Sequence, residues 1–310
     1  MNGFPRPLKW RDLPLLYHYR RQAISLRAVR RAIGGPGLLS LASIALISPT
    51  GGVWGAVDKE ARGHLVALAE ANADNALAEM AFLAPQDSLA QANLKPLVES
   101  LASAPAFRGM RALTAEAPID AEWFTSLQKA GFKVVERRQV WELAKRSENP
   151  SGEARWHYPS PQGRWEAERL YHNLTPPLVR LARPNPAISP TALVYLENGE
   201  VRGLARWATA GRRIWVEPLL DPDIRDPKQA FTALSAALPA GTLLLSIPDS
   251  RAWLADALAA LGAQMGEVYA SLVRWSASAV KAEEPLTSAA AVGVNSDHAK
   301  AIFHSDTNSA

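Results

Sequence analysis

The stretch Leu220-Asp221-Pro222-Asp223-Ile224-Arg225-Asp226-Pro227-Lys228-Gln229-Ala230 joins two different sequence patterns. The residues before it, 213–220, are mostly apolar and predict a strand. The residues after it, 231–238, predict a helix. Two prolines and three aspartates lie between the patterns, so the chain is expected to turn there from a strand into the start of a helix.

Strands and helices follow one another in the same order on both sides of the middle of the chain. In the second half the sequence predicts a helix over 166–181 that is interrupted near Pro176-Pro177, strands at 192–197, 201–208 and 213–220, the helix at 231–238, a strand at 242–247, a helix at 250–261 and a strand at 267–275. In the first half it predicts a strand at 8–10, helices up to Ile33, an apolar stretch of undecided type at 37–47, strands at 52–58, 64–70 and 76–83, a helix at 89–102, a strand at 111–115, a helix at 120–130 and a strand at 133–143. Short polar turns between the three central strands of each half predict antiparallel meanders.

Three short sequence anchors recur in the same order in the two halves, which indicates an internal repeat. They are Leu16-Tyr17-His18 with Leu170-Tyr171-His172, Pro118 to Trp123 with Pro248 to Trp253, and strands that end near a tryptophan, Trp141 and Trp275. The duplication of Tyr17-His18 as Tyr171-His172 suggests a shared packing role in each half. Two unrelated α+β domains remain the alternative to a repeat.

The polar, breaker-rich stretch at 146–153 (RSENPSGE) is typical of a linker. We therefore expect an N-terminal domain over 1–147, a C-terminal domain over 154–276 and, from the Ala- and Ser-rich composition that follows, a flexible tail over 277–310. The predicted fold class is α+β, with two pseudo-repeated domains that are each a mixed, mostly antiparallel sheet flanked by helices.

The composition is that of a water-soluble globular protein, with 48% apolar and 21% charged residues. The chain has no cysteine, which excludes disulfides, cysteine nucleophiles and thiolate metal sites. The longest apolar run, 37–47, is shorter than the roughly 20 residues that cross a bilayer, so no membrane association and a cytoplasmic location are expected.

The net charge of +4 is concentrated near the N-terminus, where eight Lys and Arg residues precede Gly35 against Asp12 alone. Such a cluster attracts phosphate in principle. Because Leu26, Val29 and Ile33 form one apolar helix stripe, the pattern favours arginines on a solvated helix face. The sequence lacks interleaved aromatics and any known nucleic-acid module, so a nucleic-acid partner is not predicted.

The element order in each half resembles that of the GNAT superfamily, the acyl-CoA-dependent N-acetyltransferases. In that family the fourth strand ends in an apolar-x-Pro run and leads into Q/R-x-x-G-x-G/A at the start of a helix. Here Arg225 and Ala230 match the first and last signature positions, while Lys228 replaces the central glycine. The equivalent first-half residues, Ser88, Gln91 and Asn93, match none of the three positions.

The resemblance implies that acetyl-CoA or another acyl-CoA is the co-substrate and that the second half holds it. The implied binding residues are Leu219, Leu220, Arg225, Asp226, Pro227, Lys228, Gln229 and Ala230. Backbone N–H groups at a helix N-terminus favour a pyrophosphate, and glycine lets the backbone come close to it. A lysine there either reaches a phosphate or fills the space that the phosphate needs.

Two residues are candidates for proton transfer. Glu217, like Glu79 in the first half, lies on a fourth strand beside apolar neighbours, which would raise the pKa of its carboxyl towards that of a general base. The alternation of the strand favours a second interpretation, a carboxylate that faces solvent or an arginine partner. The position where the family often has a catalytic tyrosine holds Leu127 or Leu258, and Tyr269 on the last strand is the substitute, with packing as its alternative role.

The predicted function is that of a GNAT-like N-acyltransferase that transfers an acyl group from acyl-CoA to a small-molecule or peptide amine. A catalytically inactive GNAT-like module for ligand binding or protein interaction is the alternative, because the signature glycine and the tyrosine are absent from both halves. No metal site is predicted, since no two histidines have the spacing of a helix-borne metal pair.

Overall fold

The computed structural model describes residues 4–48, 52–60, 63–72, 76–144 and 155–276, and in this part of the chain thirteen strands form one mixed β-sheet. The strands of the first half are β1 (Arg6–Pro7), β2 (Ile24–Ser25), β3 (Val53–Glu60), β4 (Gly63–Asn72), β5 (Leu77–Ala84), β6 (Ala112–Pro118) and β7 (Lys133–Ala144). Those of the second half are β8 (Arg155–His157), β9 (Ala192–Glu197), β10 (Glu200–Ala210), β11 (Arg213–Leu220), β12 (Thr242–Pro248) and β13 (Gln264–Trp275). The α-helices are α1 (Leu13–Tyr19), α2 (Ala28–Ile33), α3 (Leu38–Ile47), α4 (Gln86–Leu89), α5 (Lys95–Ala102), α6 (Phe124–Lys129), α7 (Pro161–Leu174), α8 (Pro177–Ala182), α9 (Pro227–Ala237) and α10 (Ala255–Ala260).

Both halves build the same arrangement of strands, and the predicted α+β fold class is confirmed. Strands β3, β4 and β5 form an antiparallel meander, and β5 then pairs in parallel with β6. In the second half β9, β10 and β11 form the same meander, and β11 pairs in parallel with β12. The turn between β9 and β10 lies at the predicted Asn198-Gly199, where both residues have positive φ (54° and 79°), as a tight hairpin turn requires.

The last strands of the two halves are exchanged at the centre of the sheet. The order across the sheet is β1-β3-β4-β5-β6-β13-β7-β12-β11-β10-β9-β8, and β2 pairs with β5 off this path. Thus β13 lies between β6 and β7, and β7 lies between β13 and β12. Each half therefore completes its sheet with a strand from the other half.

Helices cover both faces of the sheet because the strand residues alternate between two apolar layers. On β4, Leu65, Ala67 and Ala69 pack into a core with α5 and α6, whereas Val66 and Leu68 pack with α1 and α3 on the opposite face. In the second half α9 and α10 cover one face and α7 covers the other. None of the helices in the described residues is long and apolar enough to cross a bilayer.

Several sequence predictions of local structure need correction. The stretch of undecided type at 37–47 contains helix α3. The helix predicted at 89–102 is two shorter helices, α4 and α5, and Pro96 lies in the first turn of α5, where a missing N–H costs nothing. The strand predicted at 8–10 lies earlier, at β1, and is followed by a 3-10 helix at Trp10–Asp12. Strands β2 and β8 were not predicted, because each has only two or three residues and depends on a partner strand.

The predicted domain boundaries remain a prediction. The proposed linker and the tail at 277–310 fall largely or wholly outside the described residues. Helix α2 of the first half packs against Trp215 and Leu244 of the second half, so contacts between the halves extend beyond the exchanged strands.

Candidate functional site

The two parallel strand pairs separate part of the way along their length. Strands β11 and β12 pair from Arg213↔Thr242 to Val216↔Leu245, and β5 and β6 pair from Leu77↔Ala112 to Glu79↔Thr114. Beyond these points each pair diverges and leaves a gap between its two strands. Backbone N–H and C=O groups that face such a gap need other hydrogen-bond partners.

The chain itself fills the gap in the first half. Strand β2 pairs with β5 through Ile24↔Leu83 and Ser25↔Phe82. Leu26 then bridges both strands, since its N–H donates to the Ala81 carbonyl at 3.0 Å and its carbonyl accepts from the Glu116 N–H at 2.7 Å. The chain therefore fills this gap along the strands, and a cavity of about 50 Å³ that Leu26, Glu79, Thr114 and Glu116 help to line lies beside it.

The gap in the second half contains a cavity of about 50 Å³. Thr175 lies two residues before α8, as Leu26 lies two residues before α2, but its N–H donates to Tyr171 of α7 at 3.0 Å. The next residues, Pro176 and Pro177, have no N–H to donate. The walls of the cavity include Tyr171, Val179, Arg183, Glu217, Leu219, Pro248 and Arg251.

Glu217 lies at the point where β11 and β12 diverge and is held by three donors. Its carboxylate accepts from Arg206 Nη2 at 2.7 Å, Arg183 Nη2 at 2.9 Å and Trp215 Nε1 at 3.1 Å. Burial by itself would raise the pKa of Glu217, but the charges of the surrounding arginines and the Trp215 hydrogen bond outweigh burial and lower the pKa. The expected rise of this pKa is wrong, and the interpretation of Glu217 as a carboxylate with an arginine partner is confirmed.

Tyr269 is fully buried and does not belong to the described lining of the cavity. Its hydroxyl lies 2.7 Å from Ser246 Oγ, which also accepts from Arg138 Nε at 2.7 Å. Burial, together with the nearby carboxylate of Glu116, raises the pKa of Tyr269. A raised pKa makes the phenol a weaker proton donor, and its role in catalysis stays a prediction.

Two backbone N–H groups at the start of α9, in the predicted cofactor loop, already donate to Asp226 of the same loop. Asp226 is the N-cap of α9, and its Oδ1 accepts from the Gln229 N–H at 3.0 Å. The Ala230 N–H is also used, since it donates to the Asp226 carbonyl at 3.1 Å, and Pro227 has no N–H. A pyrophosphate at this helix start would have to displace the Asp226 carboxylate.

The remaining predicted binding residues divide into buried and exposed positions. Leu219 and Leu220 are buried at the end of β11, and Leu219 lines the cavity. Arg225 and Lys228 are exposed, so both cations are open to an anionic ligand in solvent. Cofactor binding at this loop stays a prediction.

A group of charged side chains, which we call the central ion cluster, connects the two halves on one face of the sheet. Arg183 contacts Glu116 Oε1 at 3.0 Å and Glu217 Oε1 at 2.9 Å, and Arg138 contacts Glu136 Oε2 at 2.8 Å. The cluster consists of Glu116, Glu136, Arg138, Arg183, Arg206 and Glu217. The sequence analysis missed all of these residues except Glu217, because the partners come from strands and loops far apart in the chain.

The N-terminal arginines do not form a solvated helix face, and that prediction is wrong for three of them. Arg27 lies 3.1 Å from Glu70 and 2.8 Å from Glu79, and Arg30 lies 2.9 Å from Glu70. Arg31 contacts Glu267 of β13 at 2.9 Å. These contacts pair the basic cluster with carboxylates of the sheet.

The repeated tyrosines lie in different surroundings, so the expected shared packing role is wrong. Tyr17 is 59% exposed, and the Arg20 guanidinium lies 3.7 Å from the centre of its ring. Tyr171 is only 6% exposed and lines the cavity. The second repeat anchor differs in its sequence, because Arg251 in 248–253 corresponds to Ala121 in 118–123. A comparison of the two repeats was the signal that could have pointed to Arg251, whereas Tyr171 and Tyr17 are the same residue type and the sequence does not separate them.

Within the described residues, no group of three or more His, Asp and Glu side chains is placed to bind a metal ion. His298 and His304 lie outside those residues.

No protein-family model matches the sequence, and no curated protein matches it. Among solved structures, the chain is similar to a GCN5-related N-acetyltransferase from Sphaerobacter thermophilus, with 13% identity, a TM-score of 0.47 and coverage of 87% of this chain and 95% of that one. It is similar to a tandem GNAT protein from the clavulanic acid biosynthesis pathway, with 12% identity, a TM-score of 0.47 and coverage of 87% and 98%. It is also similar to an acetyltransferase of the GNAT family from Colwellia psychrerythraea, with 11% identity, a TM-score of 0.43 and coverage of 88% and 100%.

Proposed function

We propose that the second half binds an acyl-CoA in the gap between β11 and β12 and transfers its acyl group to an amine. The observation that carries this proposal is the difference in backbone pairing between the halves, because β2 and Leu26 pair along the first gap and no strand of the described residues pairs along the second. Beyond Val216 the edge of β11 that faces β12 has no strand partner in the described structure. An amide-bearing arm such as that of CoA has the hydrogen-bonding groups that such an edge needs.

The reaction would proceed by attack of the amine nitrogen on the thioester carbon. The C–N bond forms, the C–S bond breaks, and a proton from the amine passes to the leaving thiolate through water. Because the pKa of Glu217 is lowered and its carboxylate is held by two arginines, we assign Glu217 to positioning Arg183 and Arg206. The rate would then depend mainly on positioning of the two substrates.

Thermal unfolding with excess acetyl-CoA tests the binding step. A ligand that binds only the folded protein adds about 2.7 kcal/mol at a concentration of 100 Kd, which raises the unfolding temperature measurably. Lys228→Glu, at the start of α9, should reduce this rise. The matched control is Lys95→Glu, which changes an exposed lysine at the start of α5, the counterpart of α9 in the first half. No rise in the unchanged protein, or an equal loss in both variants, would contradict binding in the second half.

Ligand binding without turnover is the second candidate function. It is favoured by the Asp226 carboxylate at the start of α9 and by the ion pairs that keep Glu217 from acting as a base. Release of free CoA thiol in the presence of a panel of amines separates the two functions. A thermal shift without thiol release supports the binding module, and a thiol release that needs both acyl-CoA and amine supports the transferase.

A further inference from the structure

Arg251 is a buried cation, and only one of its two terminal guanidinium nitrogens has a hydrogen-bond partner among the described residues. It is 8% exposed and lines the cavity between β11 and β12. Its Nη2 donates to the Leu174 carbonyl at 2.9 Å, but its Nη1 is buried without a hydrogen-bond partner among the described residues. Burial and the charge of Arg138 lower the pKa of Arg251 to about 10. A buried guanidinium in this state is stabilised by any anion that reaches it.

Tyr171, which also lines this cavity, carries a second buried polar group without a partner. The side chain is 6% exposed, and its hydroxyl has no hydrogen-bond partner in the part of the chain that the structure describes. A hydroxyl donates one hydrogen bond, which a ligand oxygen would accept. Six buried side-chain polar atoms lack a hydrogen-bond partner among the described residues, and two of them belong to residues that line this one cavity, where a single ligand would satisfy both.

The charges of the cavity wall favour an anion. The wall contains three guanidinium groups, those of Arg138, Arg183 and Arg251, against the two carboxylates of Glu136 and Glu217. The neighbouring Arg206 and Glu116 pair with Glu217 and Arg183 and add one charge of each sign, so the excess of one positive charge remains. An incoming ligand with one negative charge would balance the site.

The size of the cavity and the donors at its wall narrow the class of anion. About 50 Å³ exceeds the roughly 10–15 Å³ that one water molecule needs on this measure, so the cavity has room for a small polar group. One carboxylate group is of that size. Its two oxygens would accept from Arg251 Nη1 and Tyr171 Oη, and such charge-assisted hydrogen bonds are the strong ones.

We propose that the cavity between β11 and β12 is a carboxylate-binding subsite, formed by Arg251 and Tyr171, for one carboxylate of the acyl group or of the amine acceptor. This inference rests on the proposed function only in placing the ligand in the same gap. The first half cannot form this subsite, because Ala121 stands in place of Arg251 and β2 fills its gap.

Binding of succinate, with its uncharged analogue succinamide as the comparison, tests the subsite by calorimetry on the full chain. We expect the protein to bind succinate and not succinamide, Tyr171→Phe to weaken succinate binding about tenfold, and Arg251→Met to weaken it about a hundredfold. The controls Tyr17→Phe and Arg164→Met change an exposed tyrosine and an exposed arginine and should leave the affinity unchanged. Equal binding of succinate and succinamide, or full affinity in Arg251→Met, would overturn the proposal.

The unfolding temperature of Arg251→Met without ligand shows whether this variant still folds. Because Arg251 has no carboxylate partner in the described structure, Arg251→Met should unfold at a temperature equal to or above that of the unchanged protein without ligand. A fall in the unfolding temperature larger than the loss of the one hydrogen bond to Leu174 explains would show that the buried charge is already compensated and would count against the subsite.

Two further comparisons identify the source of the carboxylate. Succinyl-CoA binding more tightly than acetyl-CoA, with the preference lost in Arg251→Met, assigns the carboxylate to the acyl group. Glycine binding more tightly than glycinamide assigns it to the acceptor. Succinate binding without any acetyl-CoA binding would refute the proposed acyltransferase and retain the subsite, whereas acetyl-CoA binding without any carboxylate preference would refute the subsite alone.

Discussion

At the scale of single residues, Arg183 connects the two halves of the chain. Its guanidinium contacts Glu116 on β6 and Glu217 on β11, and it also donates to Ser271 Oγ on β13 at 2.8 Å. Burial by itself would lower the pKa of Arg183, but the surrounding carboxylates raise it well above its usual value. The arginine is therefore charged throughout the physiological pH range.

Replacement of Arg183 by methionine should lower the free energy of unfolding by about 1.5–3 kcal/mol, because it removes one charged partner from the partly buried carboxylates of Glu116 and Glu217, while Glu217 keeps Arg206. Urea unfolding measures this change. Arg213→Met is the control, since Arg213 lies 4.0 Å from Glu142 and both side chains are about half exposed, and it should change the free energy by no more than about 1 kcal/mol. Equal effects of the two substitutions would show that the central ion cluster adds no more than a surface pair.

The lowered pKa of Glu217 predicts how stability depends on pH. Since its pKa in the folded protein lies below the value of about 4.3 in an unfolded chain, ionised Glu217 adds stability above that pH. That stability is lost as the pH falls from about 4.3 towards the folded pKa, by up to about 1.4 kcal/mol per pH unit. The free energy of unfolding, measured with urea at pH 5, 4 and 3, should therefore fall less steeply with falling pH in Glu217→Gln than in the unchanged protein.

Glu142→Gln is the control for this pH dependence, because Glu142 is 52% exposed and only loosely paired. In this variant the free energy of unfolding should change with pH as steeply as in the unchanged protein. If Glu217→Gln leaves the pH dependence of the free energy of unfolding unchanged, the pKa of Glu217 is not lowered.

At the scale of elements, β2 decides which half has an open gap. Leu26, just after β2, is fully buried in the core beneath β5 and β6 and bridges those strands through its backbone. Leu26→Ala should lower the free energy of unfolding by about 2–5 kcal/mol, as expected for a leucine removed from a packed core. Leu178→Ala, which changes a leucine of α8 that is 60% exposed, should have an effect within about 0.5 kcal/mol.

Thermal or urea unfolding of these two leucine variants gives the measurement. A small effect of Leu26→Ala would mean that the segment lies loosely in the first gap. The conclusion that the chain fills the first gap and leaves the second unfilled would then fail.

At the scale of the whole molecule, the exchange of β7 and β13 makes each half depend on the other. Without β13, the facing edges of β6 and β7 have no strand between them, and without β7 the same is true of β12 and β13. Fragments 1–147 and 154–276, expressed separately, should each fail to unfold cooperatively. Mixed together, they should form a 1:1 complex that unfolds cooperatively, as size-exclusion chromatography and circular dichroism would show. Two fragments that fold alone as monomers would contradict this dependence.

Local sequence patterns were enough for most of the elements. The meander β9–β10–β11 follows from alternating strands around Asn198-Gly199, and the end of α6 follows from Gly131, whose φ is +96°. Each of these patterns is contained in about ten residues, so the sequence shows it without knowledge of the partners. Strand β2 was missed because its two residues are extended only through pairing with β5, more than fifty residues away.

The sequence by itself determined the element order, its repetition and the turn at Asp221–Asp226, since these depend on neighbours along the chain. The tertiary structure alone decided which gap is open, how the last strands are exchanged and what charge state Glu217 has. The physical reason is that an ionic partner or a neighbouring strand acts through space. Arg183 and Glu116 are 67 residues apart in sequence and 3.0 Å apart in the fold, and no pattern within either segment indicates that they meet.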